Sequence, residues 1–172
     1  MRLFIAMDPP IGLREELASW ARAQRANSHV RIVPPENVHL TLVFLGEQPA
    51  DQVEPIVGAM NEVAGGPIHL SLGEPLLLPP RNPRTFTLAV LDPAGELGRL
   101  QGALAAALGR SEKRAFRPHL TLARLGREAR IKLELDPPPT AEFTVHEMTL
   151  YRSYLEPGGA RYEGLATTNL WD

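Results

Sequence analysis

His39-Leu40-Thr41-Leu42-Val43-Phe44-Leu45-Gly46 recurs 80 residues later as His119-Leu120-Thr121-Leu122-Ala123-Arg124-Leu125-Gly126, in a chain of 172 residues. Six of the eight positions are identical, so the chain carries an internal duplication with one copy in each half. Each copy is dominated by apolar residues and closes on Gly, the signature of a strand running into a turn. Residues i and i+2 of a strand share a face. His39 therefore stands beside Thr41, and His119 beside Thr121. Leu40 and Leu42, like Leu120 and Leu122, point the other way into a core. Related by a pseudo-two-fold axis, the two His-Thr pairs can meet across one cleft.

Two imidazoles facing one substrate form an acid–base pair. Histidine titrates near pH 6.5, so one ring can be neutral while the other is charged. The neutral ring can take a proton from an attacking group, and the charged ring can protonate a leaving oxygen. Threonine hydroxyls can donate to anionic oxygens. Phosphoryl transfer needs all of these functions. A single His-x-Thr on a strand is mostly decoration. Its repetition at equivalent places makes a fossil of duplication the weaker reading.

On these residues the chain resembles the 2H phosphoesterases, which carry paired His-x-Thr motifs. Val33-Pro34-Pro35-Glu36-Asn37-Val38-His39-Leu40-Thr41-Leu42, with Phe44-Leu45-Gly46-Glu47, looks like the first motif of the RNA 2′,3′-cyclic phosphodiesterases, also called 2′-5′ RNA ligases. Phe116-Arg117-Pro118-His119-Leu120-Thr121-Leu122-Ala123-Arg124 looks like the second. The tail, Leu150-Tyr151-Arg152-Ser153 and Pro157-Gly158-Gly159-Ala160-Arg161-Tyr162-Glu163, is also similar. The resemblance implies metal-independent opening of RNA-type 2′,3′-cyclic phosphates to 2′-phosphates. It makes His39 the general acid and His119 the general base, with Thr41 and Thr121 on the non-bridging oxygens. It also implies that Phe44 stacks a base and Arg124 binds phosphate. Strict alternation puts both of these on the face away from the histidines, so a bulge or a strand end is needed.

Composition sets further bounds. With 44% hydrophobic and 22% charged residues, the chain is an ordinary globular one, read as a single domain over 1–172. Cysteine is absent, which excludes disulfides, thiolate metal sites and a cysteine nucleophile. No apolar run reaches the roughly 20 residues of a membrane span. Leu3-Phe4-Ile5-Ala6-Met7 is too short for a signal core. The expectation is a soluble, cytoplasmic monomer. Net charge is −2, yet residues 110–132 carry eight basic residues against two acidic ones. That segment surrounds the second motif, where it can serve as a phosphate-attracting field or a solvated face.

Periodicity predicts strands at 2–7, 30–33, 38–45, 68–73, 85–91, 118–125, 142–152 and 162–170. Helices are predicted over 10–26 (Leu13, Leu17, Trp20, Ala21 buried), 51–64 (Val53, Ile56, Val57, Met60, Val63) and from Asp92 to Leu108. Asp92 is the expected N-cap with Pro93 in first position, and Gly109 the C-cap. Pro79 to Arg84 reads as a surface turn or a rim of the cleft. Short connections favour an α+β chain, bilobal, with two mixed or antiparallel sheets, helices outside and a central cleft. Gly-rich nucleotide loops and the serine-hydrolase elbow are missing. His29, His69 and His146 are scattered, so neither metal nor cofactor is expected. RNA ends or nucleotides with 2′,3′-cyclic phosphate are the expected partners. The alternatives are 2′-5′ ligation in the same site and a non-catalytic RNA-end or nucleotide binder, although a decayed binder would not be expected to keep both histidines and both threonines.

Overall fold

β1 (Arg2–Met7) buries every residue from Leu3 to Met7, because it runs through the middle of a sheet. The computed structural model describes residues 1–111 and 113–171; Glu112, one of the two acidic residues in the basic segment, lies outside them. Nine strands form one continuous sheet in the order β7-β4-β5-β6-β3-β1-β8-β9, with β2 attached to β6. The remaining strands are β2 (Val30–Ile32), β3 (Leu40–Glu47), β4 (Ile68–Leu78), β5 (Thr85–Leu91), β6 (His119–Leu125), β7 (Glu142–Val145), β8 (Glu147–Glu156) and β9 (Gly159–Asn169). The paired strands are all antiparallel.

The two expected sheets are thus one. They join at a narrow seam, where β3 and β6 share the single pair Leu40↔Leu120. The expected strand at 142–152 is two strands broken at His146. β7 lies at one edge beside β4, whereas β8 lies between β1 and β9. One residue can bridge those places only if the sheet curls back on itself, since two peptide units span about 7 Å. Leu170 N–H donating to the His146 carbonyl at 2.8 Å ties β9 to this corner.

Three helices pack on the sheet: α1 (Ile11–Gln24), α2 (Val53–Val63) and α3 (Glu96–Ala107). Leu17, Ala21, Ile56, Met60, Leu97 and Leu104 join Leu40, Leu42, Leu120 and Leu122 in one hydrophobic cluster. Among the described residues no helix is long and apolar enough to cross a membrane. Asp92 does not cap α3 in the predicted position. Gly95, at φ +71°, precedes the helix, and the Asp92 carboxylate accepts from the Leu97 and Gly98 amides at 3.2 and 2.9 Å. Leu108 is the C-cap of α3, and Gly109, expected there, follows it in the left-handed conformation at φ +64°, donating to the Ala106 carbonyl. Gln24 is fully buried. Its amide donates to Asp136 at 3.0 Å and accepts from the Asp136 amide at 2.9 Å, which fastens the segment before β7 to α1.

Candidate active site

The seam builds the site. Pairing Leu40 with Leu120 in antiparallel register runs His39 toward Thr121 and Thr41 toward His119. All four side chains line one cleft of about 580 Å³. The two histidines are held in the same way. His39 Nδ1 donates to the Asn37 carbonyl at 2.7 Å, and His119 Nδ1 to the Arg117 carbonyl at 2.8 Å. A proton held on Nδ1 leaves Nε2 as the working nitrogen of each ring. His39 Nε2 lies 2.9 Å from Thr41 Oγ1.

Phe44 and Arg124 line the same cleft, because both strands carry a bulge at the same place. In β3, Val43 pairs with Ile5 and Thr41 with Ala6, leaving Leu42 over. In β6, Ala123 pairs with Phe86 and Thr121 with Thr87, leaving Leu122 over. Each extra residue reverses the alternation beyond it. Leu42 and Val43 are consecutively buried, as are Leu122 and Ala123, while Phe44 and Arg124 turn out to solvent. Phe44 is 50% exposed. The Arg2 guanidinium stands 4.9 Å from its ring centroid.

The surroundings of the two rings differ. Phe4 packs against His39 at 4.9 Å, and Tyr162 meets it edge-on at 5.2 Å. Tyr151 stacks behind Phe4 and donates a short hydrogen bond to Asp8. Burial among these rings pulls the His39 pKa below its ordinary value. The Asn37 carbonyl and the Asp8 carboxylate oppose that pull, and Arg124 and His119 add to it.

Sequence reasoning missed Phe4, Tyr162, Asn37 and Arg31. Aromatic residues in strands read as core, and no motif marks Arg31. Asn37 also donates to the Ala160 carbonyl at 2.7 Å, clipping the β8–β9 hairpin tip to the cleft rim. Beyond His119 the cleft opens into a second groove lined by Pro79, Pro80, Arg84, Arg114, Phe116 and Arg117. The Pro79–Arg84 turn is thus a rim, and the basic segment divides. Arg114, Arg117 and Arg124 face these cavities, whereas Arg110 donates to the Leu45 carbonyl at 2.8 Å. His29, His69 and His146 are exposed and outside both cavities. Among the described residues no three His, Asp or Glu side chains gather as a metal-ligand set.

Residues 9–156 match the family model of the 2′-5′ RNA ligase superfamily. The RNA 2′,3′-cyclic phosphodiesterase of Archaeoglobus fulgidus is 32% identical, over 96% of this chain and 98% of that protein. The Escherichia coli enzyme of the same name is 31% identical, over 95% and 93%. A crystal structure of E. coli LigT complexed with 3′-AMP superposes with a TM-score of 0.83 at 30% identity, covering 98% of this chain and 97% of that one. Motif, fold and full-length likeness agree, and the chain belongs to the 2′-5′ RNA ligase superfamily.

Proposed function

We propose that the protein hydrolyses RNA or nucleotide 2′,3′-cyclic phosphates to 2′-phosphates by a metal-independent, two-histidine mechanism. The observation that carries this is the matched setting of His39 and His119 in one cleft, each with Nδ1 engaged by the carbonyl two residues before it, so that Nε2 is the working nitrogen of both rings; that of His39 is shared with the Thr41 hydroxyl. The full-length relatives named for this activity support it. His119 removes a proton from water as the water attacks phosphorus. The bond to the ribose 3′ oxygen breaks in line with that attack, and His39 protonates the departing oxygen. Thr41 and Thr121 donate to the two non-bridging oxygens, and Arg124 balances their charge. Phe44 stacks the base. We read the chain as a cytoplasmic monomer of two pseudo-symmetric lobes that meet at the Leu40–Leu120 seam.

A second activity uses the same atoms. If the 5′-hydroxyl of another RNA replaces water at His119, a 2′-5′ linkage forms. The open groove beyond His119 has room for such a strand. The test is incubation of chelator-treated protein with each 2′,3′-cyclic nucleotide, with product identification. Turnover in excess EDTA is expected. Activity that vanishes in EDTA and returns with zinc or manganese would sink the metal-free mechanism.

A further inference from the structure

Arg31 and Arg124 sit directly opposite each other on β2 and β6. Both line the catalytic cleft. Like charges in opposed cross-strand positions repel, and among the described residues neither forms an ion pair with an acidic side chain. Arg31 is not folded away. A Cβ placed on Gly159, at the hairpin tip, would come within 3.7 Å of its guanidinium, so the side chain extends along the cleft beneath that tip.

The reacting group does not account for both arginines. A cyclic phosphodiester carries one negative charge and two non-bridging oxygens. Thr41, Thr121 and Arg124 already answer these, so Arg31 is left to meet a second anion. Covalent geometry says where that anion must be. With O3′ leaving toward His39, the attached C3′, C4′ and C5′ continue into the His39 half of the cleft. Arg31, Asn37 and Tyr162 line the cleft, and Arg31 does not line the groove beyond His119.

We propose that Arg31 forms a subsite for the 5′-phosphate of the terminal nucleotide, so that the preferred substrate class is an oligonucleotide end rather than a free nucleoside cyclic phosphate. The proposal rests on the hydrolytic orientation given above. Arginine suits the task because its fork can hold two phosphate oxygens at once. The repulsion of the opposed pair is then relieved when two linked phosphates lie over the face that the paired strands present to the cleft.

Two measurements test it. The first compares kcat/KM for a nucleoside 2′,3′-cyclic phosphate with and without a 5′-phosphate, in the parent and in Arg31→Ala. The parent is expected to favour the 5′-phosphorylated form about tenfold or more, the range of one charged hydrogen-bonded contact. Arg31→Ala should bring the ratio near one, and Arg31→Lys should restore part of it. The second is calorimetric binding of adenosine 2′-phosphate against adenosine 2′,5′-bisphosphate, which reads the subsite without turnover. The bisphosphate should bind the parent more tightly by a similar factor, and Arg31→Ala should erase the difference. A parent that treats the two products alike, or a difference that survives in Arg31→Ala, overturns the subsite. Tight bisphosphate binding with no turnover of either cyclic phosphate supports the subsite and overturns the hydrolytic reading.

Discussion

His39 and His119 share a motif, but their surroundings differ. His39 is packed among Phe4 and Tyr162, and burial favours its neutral form. The general acid proposed for this position must be protonated, and burial in the free protein works against that state. An anionic phosphate beside the ring favours the imidazolium and restores the acid. The sign then follows. Activity is lost as pH rises through the pKa of the acid. In kcat/KM, which reports the free enzyme, that alkaline limb should lie below pH 6.5. In kcat, which reports the complex, it should move up. Rate profiles on a cyclic nucleotide decide this; coincident limbs would mean that His39 is not the acid. Replacing either imidazole by alanine should lower kcat by about 10²–10⁴-fold. Circular dichroism should stay native, because neither ring is part of the hydrophobic cluster. A near-parent rate in either variant would make that histidine a fossil.

Elements explain why strand alternation alone put the histidines and threonines together, whereas Phe44 and Arg124 were named only through the family resemblance and against that alternation. Alternation from His39 to Thr41 is simple strand geometry, and the apolar partners Leu40 and Leu42 are buried as expected. Two residues further on, alternation fails in both copies, because Leu42 and Leu122 are extra residues relative to β1 and β5. A bulge is set by the partner strand, so a single strand's own pattern does not reveal it. The same limit hid Arg31, whose proposed role rests on facing Arg124 across β2 and β6. The bulge in β3 makes Phe44 a cleft residue, half exposed and backed by Arg2. Stacking of a base on an aromatic ring contributes about 1–3 kcal/mol. Phe44→Ala should therefore raise KM for a cyclic nucleotide roughly five- to hundredfold, and Phe44→Trp should retain most of the affinity. Steady-state kinetics checks this, and an unchanged KM would place the base elsewhere.

At the scale of the molecule the repeat predicted a central cleft, and the curled sheet supplies one, but the number of sheets was not readable. Nothing in Leu40 or Leu120 says that their strands join, and a single pair closes the seam. Nor does His146 announce that β7 and β8 lie six places apart in strand order. The same sheet is asymmetric about its seam. One side of the cleft carries Phe4, Tyr162 and the hairpin tip. The other opens into the basic groove of Arg84, Arg114 and Arg117. A cyclic 2′,3′-phosphate can open at either oxygen, so the product reports which way round it docks. In the proposed orientation the ribose and base take the Tyr162 side, with Phe44, which lines both cavities, stacking the base. Attack must then come in line from the His119 side, which is open to solvent and to an incoming hydroxyl. With O3′ held at His39, that bond breaks and phosphate remains on O2′. The expected product is the 2′-phosphate alone, resolved from the 3′ isomer by phosphorus NMR or chromatography against both standards. A 3′-phosphate would mean that the ribose sits reversed, with O2′ at His39. An equal mixture would mean that the asymmetry of the cleft does not orient the substrate.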